Sequence, residues 1–134
     1  MEAERVFVYG TLMRGHANHR VLVALGARFV GEAVTIERFR LIDLGPYPAL
    51  VRGDGVHAHG ELFAIAPEKL PELDAFEGCP DLYVRERVLV DAAGERVFAF
   101  TYFFAREAPA DAVVITSGRY DEAAAHEVGS DPRR

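Results

Sequence analysis

Arg5-Val6-Phe7-Val8-Tyr9-Gly10-Thr11-Leu12-Met13-Arg14-Gly15 opens the chain with an alternating apolar run that stops at a tyrosine, a glycine and a hydroxyl residue, with a second glycine soon after. The pattern predicts a strand over 5–9 that delivers a backbone loop. Glycine admits conformations closed to other residues, so consecutive amide N–H groups can converge on an anion or on a developing oxyanion. Gly and Thr also serve ordinary turns for purely local reasons. The reading therefore gains its weight from a second segment, Leu73-Asp74-Ala75-Phe76-Glu77-Gly78-Cys79-Pro80-Asp81-Leu82-Tyr83-Val84-Arg85-Glu86-Arg87.

Outward from the first strand, Asn18 is placed to cap a short helix carrying Val21, Leu22 and Leu25, ended by Gly26. Phe29 to Ile42 alternates as one long bent strand or two joined ones, with Gly31 as a bulge candidate. Gly45-Pro46-Tyr47-Pro48 interrupts, Ala49-Leu50-Val51 resumes briefly, and Arg52-Gly53-Asp54-Gly55 reads as a turn. A strand over 57–66 leads to a helix opened by Pro67, along which lie Leu70, Leu73, Asp74, Phe76 and Glu77. Segments 83–91 and 96–105 read as a hairpin about Asp91-Ala92-Ala93-Gly94-Glu95. Beyond Pro109 come an apolar stretch at 112–115, Tyr120-Asp121, a short alanine-rich helix and, over about 126–134, a flexible tail. Many short strands and few helices predict the α+β class.

The 134 residues, half of them hydrophobic, match a single domain spanning 1–134 with one core. A net charge of −6 and a pI near 5.3 argue against nucleic acid or an anionic membrane as partner and leave a small molecule. No stretch has the length of a membrane span or the form of a signal peptide, and the one cysteine, Cys79, cannot form an intrachain disulfide. The expected setting is the cytoplasm, and the expected state a monomer.

Val6-Phe7-Val8-Tyr9-Gly10-Thr11-Leu12 with Arg14-Gly15 and Asn18-His19-Arg20, then Tyr47-Pro48, then Phe76-Glu77 with Cys79-Pro80 and Leu82-Tyr83, and finally Tyr120-Asp121 together resemble the gamma-glutamylcyclotransferase-like (AIG2-like) family, nearest its gamma-glutamylamine cyclotransferase branch. The resemblance spans nearly the whole chain. It implies a small mixed β-barrel flanked by short helices, a Tyr9 to Leu12 loop that holds the glutamyl end of the substrate, and Glu77 as general acid/base. Met13 departs from the polar residue usual after Tyr-Gly-Thr-Leu, which bears on the leaving group and not on ring closure.

The implied reaction is intramolecular. The free α-amine of a gamma-glutamyl group attacks its own side-chain carbonyl, closing 5-oxoproline and expelling an amine. With both reacting groups in one substrate, the protein's task is to hold a near-attack geometry, and no cofactor is called for. The ammonium must first lose a proton. Its reference pKa near 8 stands about 3.5 units above that of glutamate, roughly 5 kcal/mol for an untuned transfer. Burial of Glu77 against Phe76 and Tyr83 is the expected way to narrow that gap. Tyr9, Tyr47, Tyr83 and Tyr120 are candidate pocket walls as well as ordinary core aromatics. The amides of Gly10, Thr11 and Leu12 suit either an oxyanion or the substrate carboxylate.

Cys79 lies between Gly78 and Pro80 with no local base and reads as a structural thiol. His57 and His59, expected on one strand face, and His16 and His19 lack the spacing of a metal site. A non-catalytic module binding a glutamyl or pyroglutamyl compound is the alternative, disfavoured because a second carboxylate would repel such a ligand. The leaving amine is not encoded in any motif found.

Overall fold

The computed structural model describes residues 2–121; the alanine-rich helix and the tail expected near the C-terminus lie outside the described residues. The opening run forms β1 (Glu4–Val8), followed by α1 (His19–Ala24), β2 (Arg28–Thr35), β3 (Phe39–Asp43), β4 (Pro48–Val56) and β5 (His59–Ile65). A 3-10 turn at Pro67–Lys69 leads into α2 (Leu70–Phe76), and β6 (Tyr83–Ala92), β7 (Glu95–Phe104) and β8 (Val113–Val114) complete the order.

The strands form one sheet in the order β1-β5-β2-β6-β7-β4-β3-β8, and a further β1–β7 pairing closes the first five into a mixed barrel. The remaining three form a wing beside it. β7 is the branch point. It pairs antiparallel with β6 along its whole length, from Tyr83↔Phe104 to Ala92↔Glu95. On its other side it pairs in parallel first with β1, at Val6↔Phe100, and then with β4, at Leu50↔Phe103. The C-terminal end of β1 therefore meets the N-terminal end of β4 along one edge.

Both faces of β1 are buried. Phe7, with Tyr9 just beyond the strand, joins Leu62, Val88, Val90 and Phe103 in one core group, while Val6 and Val8 pack with Leu22 of α1 and with Leu70 and Leu73 of α2. Each such side chain withdrawn from water contributes about 1.5–3 kcal/mol. The β6–β7 hairpin turns at Ala93 and Gly94, both at positive φ (54° and 83°), the condition for a turn whose twist matches its strands.

Of the two arrangements expected for Phe29 to Ile42 the chain takes two strands, with the register shift falling between Phe29 and Gly31, the bulge candidate. Other details differ from the sequence expectation. Arg52-Gly53-Asp54-Gly55 does not separate two strands: β4 runs through it, and the pairing skips from Arg40↔Val51 to Phe39↔Val56, so the turn-forming residues loop out within one strand. Asn18 stands at the helix N-cap but makes no capping bond, because its side chain is engaged elsewhere. β5 begins at His59, leaving His57 before it with Nδ1 bonded to the Thr35 carbonyl.

Candidate functional site

Where β1 ends and β4 begins, main chain cannot fill the gap, and a cleft of about 350 Å³ including its mouth opens there. Tyr9, Gly10, Thr11 and Leu12 form one wall, Tyr47 and Pro48 another, and Glu77, Tyr83 and Tyr102 close it from α2, β6 and β7. Gly10 is required by proximity. A Cβ there would sit 2.6 Å from Cγ of Pro48.

Tyrosines tie the seam together. The Tyr9 hydroxyl donates to the Tyr102 carbonyl (2.6 Å) and accepts from the Leu50 amide (3.1 Å), standing in for a main-chain partner between β7 and β4. The Tyr83 hydroxyl donates to the Pro48 carbonyl (2.7 Å). Both phenols are held above their usual range, by burial above all, and stay neutral donors.

The loop after β1 is stitched from outside. Asn18 donates its amide to the Thr11 carbonyl (2.9 Å) and its side-chain Nδ2 to Thr11 Oγ1 (2.9 Å), and His19 Nδ1 donates to the Leu12 carbonyl (3.0 Å). The carbonyls are thus engaged on the helix side. The N–H groups of Thr11 and Leu12 donate to no acceptor among the described residues. Among the described residues no cationic side chain lines the cleft, and these amides are the charge-favouring donors beside it.

Glu77 follows the last residue of α2, and its carboxyl makes no hydrogen bond or ion pair among the described residues. Burial, with the Asp74 carboxylate adding to it, pushes it from 4.5 up to about 7. Phe76 is 43% exposed and absent from the cleft wall, whereas Tyr9, Tyr83 and Tyr102 line the cleft with Glu77. At about 7 the carboxyl stands roughly one unit below a free α-amine, so the transfer cost falls to about 1.4 kcal/mol.

Of the other candidates, Tyr120 is buried beside His16, with ring centroids 5.9 Å apart, and lines a neighbouring cavity instead. Its phenol is still near enough to act on Tyr83. Cys79 is half-buried, its thiol pushed up to about 11 by burial and the nearby Asp74 and Glu77 charges, so it stays protonated near neutrality. No group of three or more potential metal ligands occurs among the described residues. Sequence reasoning did not single out Tyr102 as a wall or Asn18 and His19 as loop supports. The Tyr-Gly-Thr run seven residues before Asn-His was the available signal, since that spacing lets a helix start fold back on the loop.

A family model described as Gamma-glutamyl cyclotransferase, AIG2-like, matches residues 6–122. The chain is 33% identical over 143 residues to a gamma-glutamylaminecyclotransferase of Rattus norvegicus, covering 96% of each chain. It is 38% identical over 137 residues to the protein of the same name from Bos taurus, covering 96% of this chain and 82% of that one. Among solved structures, the crystal structure of an AIG2-like protein from Mus musculus superposes with a TM-score of 0.81 at 32% identity, covering 90% of both chains.

Proposed function

The chain belongs to the gamma-glutamyl cyclotransferase, AIG2-like family, and we propose that it is an enzyme of that kind acting on a gamma-glutamyl amine or amino-acid conjugate, with Glu77 as its general acid/base. The observation that carries the assignment of Glu77 is an unpartnered carboxyl held near neutrality in the cleft whose opposite wall offers free amides. Glu77 takes a proton from the substrate ammonium, and the freed amine forms the new C–N bond at the gamma-carbonyl. The carbonyl oxygen becomes an oxyanion. As it collapses, Glu77 gives that proton to the leaving nitrogen and its bond to carbon breaks. The Glu77 carboxylate then takes the second proton from the ring nitrogen, giving 5-oxoproline and a free amine, which carries the remaining proton away as its ammonium. Thr11 and Leu12 amides bind the oxyanion or the α-carboxylate, and Tyr47 and Tyr83, with ring centroids 6.1 Å apart, supply apolar walls that hold the glutamyl chain bent.

We infer a single-domain, cytoplasmic enzyme that works as a monomer on small molecules without a cofactor. In its support, no described helix is long and apolar enough to cross a membrane, and the substrate carries both reacting groups.

The test is 5-oxoproline release from gamma-glutamyl-lysine, gamma-glutamyl-alanine, glutathione and a gamma-glutamyl alkylamine. Glu77→Gln is expected to bind substrate and lose turnover by 10²-fold or more, the size of a general acid/base contribution. Near-normal kcat in that variant refutes the role of Glu77. Tight binding of 5-oxoproline without release from any conjugate would instead favour a binding module.

A further inference from the structure

Asp74 precedes Glu77 by three residues and so shares its side of α2. It does not line the cleft. Its Oδ1 accepts from the Tyr102 hydroxyl (2.7 Å) and from Arg85 Nε (2.8 Å), and its Oδ2 from the second arm of the same guanidinium (3.1 Å). Arg85 and Tyr102 are direct partners in the β6–β7 ladder, so two facing residues of the hairpin grip one carboxylate from adjacent strands. The Arg85 guanidinium is itself seated over the Phe100 ring, 4.7 Å from its centroid. A planar fork meeting a carboxylate two-handed is the arrangement that fixes orientation as well as charge. Tyr102 alone of these residues also touches the cleft, linking its wall to the clamp.

We propose that Asp74 is a positioning residue for the proton transfer: fixed by Arg85 and Tyr102, its charge stands one helical turn from Glu77 and acts on the reaction only through that carboxyl. This rests on Glu77 being the general acid/base. The groups that face Glu77 are Asp74 on its own helix, Cys79 just after it, Tyr83 on β6, Tyr102 on β7, Tyr9 after β1 and Tyr47 before β4, with Arg85 of β6 behind Asp74. Tyr9, Tyr83, Tyr102 and the Cys79 thiol are neutral at pH 7, each held above its usual range by burial first. Asp74 and Arg85 bring the opposed charges. The fork fixes where the Asp74 charge stands, and a negative charge near a carboxyl resists loss of its proton, adding to burial. A clamp that served only to dock α2 on the hairpin would leave the protonation of Glu77 unmoved when its charge was removed.

The experiment is the pH profile of kcat for wild type, Asp74→Asn and Asp74→Glu. Asn keeps an oxygen for Tyr102 and loses the charge; the acid limb is expected to move toward lower pH by roughly half a unit or more, the size of a like charge a few ångströms away. KM stays within about twofold, because Asp74 does not touch the cleft. Asp74→Glu keeps the charge and holds the limb within a few tenths of a unit of wild type. An unmoved limb in Asp74→Asn, or an equal displacement in Asp74→Glu, overturns the proposal. Carbon-13 NMR of the Glu77 carboxyl reads the same displacement without turnover. An enzyme inactive on every conjugate thus refutes the cyclotransferase reading, whereas an unmoved Glu77 titration refutes this one.

Discussion

Glu77→Gln should make the protein more stable as it makes it inactive, and the gain should depend on pH. In the folded chain the carboxyl keeps its proton up to about 7, whereas its ordinary value, taken for the unfolded chain, is 4.5. Between those values the folded state binds a proton that the unfolded state has released, so wild-type stability falls as pH rises. The contribution is fully present below 4.5 and gone once the pH has passed 7. The difference of 2.5 units (about 7 less 4.5), at ~1.36 kcal/mol each, amounts to about 3 kcal/mol. Gln does not titrate. Urea unfolding of both proteins from about pH 4.5 to 9 isolates the effect, since groups common to both cancel in the difference. The variant should gain about 3 kcal/mol on wild type across that range, near 10 °C in Tm for a chain of this size. Two curves offset by a constant would refute the reasoning. It would mean that Glu77 ionises as easily folded as unfolded, and that the cleft does not hold its proton.

Gly10→Ala should cost about 1–3 kcal/mol and depress turnover, because the new methyl meets both Cγ and Cδ of Pro48 while the Pro48 carbonyl is tied to Tyr83; a urea midpoint equal to wild type would show that the loop and Pro48 yield freely. Tyr9→Phe keeps the ring but leaves the Leu50 amide and the Tyr102 carbonyl unpaired in the seam. A loss of about 2–4 kcal/mol with faster hydrogen exchange at Leu50 is expected, and slow exchange there would argue that the two strands pair without the phenol.

The elements that carry their own local chemistry were legible in the sequence. Gly94 announces a hairpin because its turn needs positive φ there, and Gly31 stands at the register shift of its strand. Arg52 to Gly55 misleads, since the same residues that favour a hairpin also let a strand loop out, and only the pairing of β3 with both ends of β4 decides between them. Glu77 was identified by its neighbours in sequence, but the cleft that buries it is walled by tyrosines after β1 and on β6 and β7 and not by Phe76 beside it. Tyr102 could not be assigned from its own segment, Phe100 to Phe104, where every residue is apolar or aromatic except Thr101 and any of the aromatics could have faced the cleft. That choice is made by the register of β7 against three other strands.

A residue in a sheet can offer its main chain to one neighbour on each side, and β7 is asked to serve two on the same side. One must stop before the other starts. The vacancy at the handover follows from strand order, before any side chain is chosen, so every chain that adopts this order inherits a hollow at that spot. What a particular sequence decides is how the hollow is furnished. Here a phenol splices the two neighbours, a glycine lets them approach, and one uncompensated carboxyl is left inside.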